Sequence, residues 1–494
     1  MPSPERGRNT NRRPARRRPT PQKRVPDPAR RVAFDLLAAI RERGAYANLT
    51  LPGLLDQAGL EERDAALATE LGYGTVRWQG TLDSILARCV DRPLPDLDPP
   101  VLDVLRLGAY QILHTRIPSY AAVAATVNLA GSMVGEGPAR LVNAVLRKTS
   151  VRDLDGWITE LVAPTGSASN DASTDASTNA NKEHLVAELS LRHAHPEWIV
   201  RALADALGPD EAELGQALAA NNERPVVHLV ARRIARDDLV SSVGGKPGPW
   251  SPYAVRLPEG GSPHSFAEVR DRRAGVQDEG SQLMALALAG IAPDDQGADE
   301  AGSTGWWLDL CAGPGGKAAL LAALAPQNVR ILAADRAPHR AQLVVQATRW
   351  ERGMQGVHVI SADGLAPPWR AGFADRVLVD APCSGLGALR RRPDARWRRT
   401  PDDVRDLVEL QRGLLTAAVS AARPGGVVAY VTCSPHPAET VEVVQWALAR
   451  GGVTVLDARS ALPEMPSLGL GPYVQLWPHR HGTDAMFLAM LRID

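Results

Sequence analysis

Two cysteines stand where a fold could put a thiol to use. Cys383 lies in the run Asp380-Ala381-Pro382-Cys383-Ser384-Gly385, and Cys433 in Thr432-Cys433-Ser434-Pro435. Each follows an apolar run that reads as a strand, residues 376–381 and 426–432. In a parallel sheet with helical crossovers, ligands bind beyond the carboxyl ends of the strands, so both thiols are expected on one rim. A turn of Pro, Ser and Gly exposes a thiol, and an exposed thiol can serve as a covalent nucleophile. An isolated cysteine is more often a small core hydrophobe, and Cys89 and Cys311 are read that way from their own surroundings.

A third stretch supplies a ligand cradle. Residues 306–317, WWLDLCAGPGGK, read as a short buried strand, a tight turn and the start of a helix. Gly313, Gly315 and Gly316 let the backbone approach a ligand that a Cβ would exclude, at a helix N-terminus. A second strand follows and ends in Asp335, where a nucleotide-binding α/β unit places an acid on a ribose hydroxyl. The glycine spacing does not match a dinucleotide fingerprint. Nor is it a P-loop, since Ala318 stands where a magnesium-binding hydroxyl is needed. S-adenosylmethionine fits better, with Asp335 at the ribose, Asp363 near the adenine and the turn around the methionine end.

A thiol beside S-adenosylmethionine points to methylation of a pyrimidine at C5. That carbon is not nucleophilic in the free base, but a thiolate adding at C6 makes it enamine-like. Methyl transfer, loss of the C5 proton and elimination of the thiolate then restore the ring. An acid must hold the N3/N4 edge during addition, and Asp380, three residues before Cys383, is placed for it. The base must also leave any stacked helix to reach the pocket. Spacing alone does not say which cysteine attacks.

The elements that must position these groups begin with a long chain. At 494 residues it should hold two or three domains. It has no run of about 18 apolar residues and no apolar signal core, so a soluble cytoplasmic protein without membrane contact is expected. Four scattered cysteines with no CxxC exclude a disulfide framework and a structural zinc site; no metal is required, and no obligate protein partner is evident. Basic and acidic residues cancel at 56 each, yet residues 1–31 carry eleven Arg and Lys against Glu5 and Asp27. Residues 1–28 are therefore expected to form a disordered basic tail that favours a polyanion or merely solubilises the chain.

Residues 29–163 show helical periodicity throughout, as an all-α domain of five to seven helices with no catalytic constellation. His114 and Arg116 read there as capping or surface groups. The polar, low-complexity residues 164–182 are expected to be a flexible linker, and 183–275 a small α+β module. From residue 276 to the end the text alternates strand and helix, with seven strand candidates and a polar insertion at 294–305. This predicts an open, mostly parallel, doubly wound sheet.

Several of these segments resemble a known family. LDLCAGPGGK (308–317), VDAPCSGLG (379–387), VTCSP (431–435) and VQDEGSQL (276–283) are similar to motifs of the NOL1/NOP2/Sun group of RNA cytosine-C5 methyltransferases. LGAYQILHTRIPSYAAVAAT (107–126) and LVNAVLRK (141–148) resemble the RNA-binding domain of the antitermination factor NusB. The pairing is similar to methyltransferases of small-subunit (16S) ribosomal RNA. The resemblance implies a NusB-like all-α front, a small α+β linking module and a C-terminal Rossmann-like seven-stranded S-adenosylmethionine methyltransferase domain. It further implies that Cys311, Ala312, Gly313, Pro314, Gly315, Gly316 and Lys317 wrap the cofactor, with Asp335 on its ribose and Asp363 near its adenine. Asp380 would lie near both cofactor and base, Cys433 would be the nucleophile, and Cys383 would help release the product. DNA cytosine methyltransferases resemble the opposite assignment of the thiols.

Three positions or groups invite comparison with the pattern. Gly313 stands where the family usually has Ala, a small-for-small change expected to leave the cradle intact. Ala485 stands where it often has Gly, which would cost backbone freedom if positive φ is needed. Arg390, Arg391, Arg392, Arg396, Arg398 and Arg399 are expected to contact RNA phosphate. The alternatives are a methyltransferase for tRNA or another RNA, a non-catalytic RNA-binding or antitermination factor, and a nicotinamide enzyme that the glycine spacing disfavours.

Overall fold

The computed structural model describes residues 25–163, 174–258, 262–291, 305–349 and 356–494. Residues 1–24 of the expected tail, 164–173 of the expected linker and most of the polar insertion lie outside them. The helical front comprises Pro28–Arg43, Ala47–Ala58, Glu62–Cys89, Pro99–His114, Ser119–Met133, Glu136–Thr149 and Leu154–Val162. Pro28 opens the first helix, with the Asp27 carboxylate accepting from the Arg30 amide, and Gly44 closes it in the left-handed region at φ 59°. Leucines 71, 82, 86, 105, 107, 129 and 146 form the buried seam. Gly74 leaves room for the Tyr110 ring, which would lie 2.0 Å from a Cβ there.

His114 is neither a cap nor a surface group. Its ring packs against Trp78 and Tyr110, with centroids 4.0 and 5.1 Å away, and burial drives its pKa down to about 4. Arg116 is exposed. The tract expected to be a linker also differs from expectation, because Thr174–His193 is one helix. Val186 and Leu189 are buried against the next two helices, Glu197–Leu207 and Glu211–Ala220. Once that apolar stripe nucleates the helix, upstream residues extend it at little cost, so a polar composition was a poor guide.

A small antiparallel sheet follows, of strands β1 (His228–Ala231), β2 (Lys246–Pro247), β3 (Ala254–Arg256) and β4 (Ala274–Val276), in the order β2-β3-β1-β4. The large sheet holds β5 (Gly305–Asp309), β6 (Val329–Asp335), β7 (Val357–Ser361), β8 (Ala374–Asp380), β9 (Ala422–Thr432), β10 (Val453–Leu456) and β12 (Phe487–Ile493). Its order is β10-β12-β9-β8-β5-β6-β7, with the short β11 (Val474–Gln475) beside β12. Five neighbours, β7 through β9, run parallel, and β12 inserts antiparallel between β9 and β10. Side chains alternate as a two-faced sheet demands. Leu378, Val427, Ala429, Val431, Leu488 and Met490 pack on helices Glu279–Gly290 and Gly316–Leu324. Val377, Val379, Val428, Tyr430, Phe487 and Ala489 pack on Pro401–Ala421 and Val441–Leu448. No described helix is long and apolar enough to cross a membrane.

The arginine cluster, expected to contact RNA, mostly holds the protein to itself. Arg396 is fully buried, donating to the carbonyls of Ala194 (2.9 Å) and Asn221 (3.2 Å) and to Asn222 Oδ1 (2.9 Å). Arg398 donates to the carbonyls of Gly44 (2.8 Å) and Ala45 and lies over the Tyr46 ring. Arg390 and Arg391 pair with Asp278 and Asp484 at 2.6–3.4 Å. Of the six, Arg392 is exposed and Arg399 partly so. Between these arginines, Trp397 donates from Nε1 to the Val76 carbonyl (2.7 Å) and lays its ring on Gly80, where a Cβ would come within 2.3 Å. Buried guanidinium groups are held only when such partners are satisfied, so this segment is a latch between the helical domain and the sheet domain. Replacing Trp397 with Ala should remove about 3 kcal/mol of packing and leave the Val76 carbonyl unpaired. Calorimetry should then show the helical domain melting apart from the rest, whereas an unchanged thermogram would show that docking does not depend on this ring.

Candidate active site

The strand order reverses between β5 and β8, and the site lies where ligands bind in such sheets, beyond the carboxyl ends of these strands. Register aligns the rim: Asp309 of β5 pairs with Leu378 of β8 and Ala333 of β6, Asp380 with Val431 of β9, and Asp335 with Ser361 of β7. The Gly-rich turn, Asp335, Asp363, Asp380, Cys383 and Cys433 therefore line one edge, as their spacing had predicted.

The turn is built around two close approaches. Gly315, at φ 108°, caps helix Gly316–Leu324, and a Cβ there would lie 2.7 Å from the Ala347 methyl and 2.9 Å from Val344 Cα. Gly313 donates its amide to Asp335 Oδ2 (3.0 Å), and the Arg340 guanidinium reaches back to its carbonyl. A Cβ on Gly313 would lie 2.4 Å from Asp335 Oδ2 and 2.8 Å from Arg340 Nε. Alanine here is thus not a neutral exchange, because Arg340 would have to withdraw. Asp335 also accepts from the Ala337 amide (2.9 Å) and pairs with Arg340 (3.3 Å). Asp363 is partly exposed beside it, accepting from the Leu365 amide (3.0 Å) and facing Arg336 at 3.7 Å. Ala312 is buried, and Pro314 is exposed on the turn. Cys311 is half-buried, and burial pushes its thiol well above the usual range.

Between the turn and the thiols lies a part-buried ion pair, Lys317 Nζ to Asp380 Oδ2 at 2.7 Å, with the lysine the more enclosed partner. Burial pulls the lysine pKa down, but the Asp380 charge and hydrogen bond outweigh it, and the ammonium is held above its usual value. Beneath them Asp309 is wholly buried with neither carboxylate oxygen hydrogen-bonded. Desolvation first, and then the Asp380 charge, push it up to about 8. Sequence reasoning passed over Asp309, although an acid ending an apolar strand just before the Gly-rich turn was its signal. An orphaned acid and glycines that exclude side chains mark a cradle for a polar ligand.

The Cys383 and Cys433 sulfurs lie 3.3 Å apart, both partly exposed. Their proton affinities diverge. The hydrogen bond shared with Cys383 holds the Cys433 thiol below its usual value against burial and Asp380, with Arg392 and Lys317 assisting. The same bond, burial, the Cys433 charge and, after these, the Glu439 charge drive Cys383 well above it. One sulfur is disposed to be a thiolate and the other to remain a thiol. Gly387 closes the loop, donating to the Cys433 carbonyl (2.9 Å) and accepting from the Ala485 amide (2.9 Å). A Cβ on it would meet the Ala485 oxygen at 2.0 Å. Ala485 itself is not among the residues with positive φ, so its departure from glycine strains nothing. Among the described residues, no group of three His, Cys, Asp or Glu is arranged to hold a metal.

Comparison with known proteins extends this geometry. Residues 300–492 match the family model described as 16S rRNA methyltransferase RsmB/F, and residues 27–150 match that of the NusB family. A Mycobacterium tuberculosis (strain H37Rv) protein, provisionally named a methyltransferase, is 52% identical over 476 residues, 96% of this chain and 98% of its own. The ribosomal RNA small subunit methyltransferase B of Pseudomonas syringae pv. tomato is 32% identical, over 94% of this chain and 96% of its own. In fold, the crystal structure of PH0851 matches with a TM-score of 0.74 at 20% identity, covering 95% of this chain and all of that one. NSun6 from Pyrococcus horikoshii with SFG matches at 0.50 and 18% identity, over 60% of this chain and 98% of its own. The two-domain match and the length over which these relatives align lead to one conclusion: the chain belongs to the 16S rRNA methyltransferase RsmB/F family, with a NusB-like helical domain ahead of its methyltransferase domain.

Proposed function

We propose that this protein methylates C5 of a cytosine in small-subunit ribosomal RNA, using S-adenosylmethionine and a covalent bond from Cys433 to C6. The observation that carries the proposal is the thiol pair, two sulfurs 3.3 Å apart on one rim beside the Lys317–Asp380 ion pair. The relatives named for ribosomal RNA supply the substrate class, and the NSun6 structure named with SFG supports the cofactor.

In this scheme residues 311–317, with Asp335 and Asp363, hold the cofactor. When bound, it supplies an electrophilic methyl group on a sulfonium. Cys433 attacks as the thiolate, forming the S–C6 bond while the C5–C6 π pair moves onto C5 and the N3 edge. Asp380, tied by one oxygen to Lys317, accepts from the exocyclic N4 amine with the other and orients that edge, while the Lys317 ammonium offsets the negative charge that develops beside it. C5 takes the methyl group. In the last stage the Cys383 thiol, which faces the Cys433 sulfur, gives its proton to that sulfur as the S–C6 pair returns to it, and the Cys383 thiolate so formed takes the C5 proton as the ring double bond reforms. The cations of residues 1–24 would attract the RNA backbone.

Cys433→Ala should lower turnover on unmodified small-subunit ribosomal RNA by at least about a thousandfold. Cys383→Ala should accumulate a denaturation-resistant RNA adduct. Labelled methyl transfer and denaturing gels read both, and activity retained in both variants would sink the covalent scheme. Lys317→Met removes a cation that favours the Cys433 thiolate, so the acidic limb of the pH–rate profile should move up by about one unit; an unmoved limb would deny Lys317 that role. Deleting residues 1–24 should weaken RNA binding at low salt and flatten its salt dependence while turnover persists, and complete loss of methyl transfer would show that the tail does more than attract RNA.

A further inference from the structure

The two cysteines come from different strands, 50 residues apart, and nothing in either turn alone brings their sulfurs together. Each is followed by a serine, and both serines are buried with hydroxyls 3.1 Å apart. Both also converge on one carboxylate. Glu439 Oε2 accepts from Ser434 Oγ (2.6 Å) and from Ser384 Oγ, and Oε1 accepts from the Ser384 amide (2.7 Å). Gln411 Nε2 completes the set, donating to Oε1 (3.1 Å) and to the carbonyl of Pro382, the residue before Cys383 (2.9 Å). Tyr430, in β9, donates to the Glu439 carbonyl (2.8 Å) and fixes its backbone.

Glu439 is fully buried, and among the described residues it has no ion-pair partner. A buried carboxylate is costly unless its lone pairs are met, and here neutral donors meet them. Those donors belong to the two thiol-bearing turns. An amide side chain of the same shape would carry no charge and one acceptor oxygen; with that oxygen on the Ser384 amide and Gln411, its NH2 would face the two hydroxyls, which would have to turn from donors into acceptors.

We propose that Glu439 is the positioning residue of the thiol pair: by gripping the serine after each cysteine, its carboxylate sets the two sulfurs side by side, within hydrogen-bond distance of each other. The inference rests on the thiol roles proposed above. Charge placement agrees with it, since Glu439 favours the protonated Cys383 while Lys317 and Arg392 favour the ionised Cys433. Glu439 touches no reacting atom and acts only through Ser384 and Ser434.

The test is alkylation of the free enzyme by iodoacetamide across a pH series, mapped by mass spectrometry to the Cys383 and Cys433 peptides. In the native protein Cys433 should react first, with the lower midpoint. In Glu439→Gln the two midpoints should converge, the Cys433-to-Cys383 rate ratio at neutral pH should fall at least about tenfold, equivalent to one pKa unit, and kcat should fall with KM for RNA little changed. An unaltered ratio and midpoint in a folded Glu439→Gln protein would overturn the proposal. Should that variant fail to fold, Ser434→Ala keeps the carboxylate and loses one grip; it should lower the ratio in the same direction, and an unchanged ratio there counts equally against the proposal. Alkylation needs neither RNA nor methyl donor. A shifted ratio in a chain that methylates no cytosine would therefore uphold the positioning role and remove the proposed function, and an unshifted ratio in an active chain would do the reverse.

Discussion

The parallel pairing of β5 with β8 is the constraint on which the rest depends. Chain order moves outward from β5 through β6 to β7 on one side and resumes at β8 on the other, so the turns leaving β5 and β8 diverge and leave a crevice between them. Everything with chemical capacity is hung from that crevice: the glycine turn after β5, Asp335 at the end of β6, Asp380 at the end of β8 with Cys383 beyond it, and Cys433 after β9. A one-residue slip of β8 against β5 would send Asp380 to the other face of the sheet. The alternating apolar residues of β8, divided between the two cores, oppose such a slip.

That crevice gathers charge that a protein interior does not accept cheaply. Lys317 and Asp380 satisfy each other, Asp335 is met by two amides and Arg340, and Glu439 is met by hydroxyls, an amide and a carboxamide. Asp309 alone among these acids lacks a partner for its carboxylate oxygens, and burial, then the Asp380 charge, raises its proton affinity. The pattern separates acids whose charge is met by partners from one that burial holds toward its protonated form.

Much of this was legible in the residues because it depends on local pattern. Seven of the eight strands of the large sheet were readable from apolar runs, the two-residue β11 being too short to show, and the rim followed from the rule about strand ends. Residues whose role depends on distant partners were not readable. Arg396 looks like any arginine in a basic run, but its partners lie on Ala194, 202 residues away, and on Asn221 and Asn222. Glu439 is one acid in a turn, and its importance comes from two serines that only the sheet brings together. His114 carries a polar label but sits between aromatic rings, and the helix from Thr174 begins in a tract whose composition resembles a spacer. In each case tertiary packing overrode what the local sequence favoured.

The misread arginines also explain why the helical domain and the thiols form one structure. The segment that carries Cys383 away from β8 runs through Gly387, which is packed against the Cys433 and Ala485 carbonyls, and then through Arg390 and Arg391, which are fixed on Asp278 and Asp484. It ends with Trp397 on Gly80 and Arg398 on the turn at Gly44 and Ala45. There is no hinge along it: most of its side chains are buried, paired or wedged against backbone where no Cβ would fit. A connection of that kind does not by itself carry a signal, but it does fix a distance. A substrate gripped by the helical domain would meet the thiol pair at a separation set by packed side chains, so orientation would be built in before the chemistry begins.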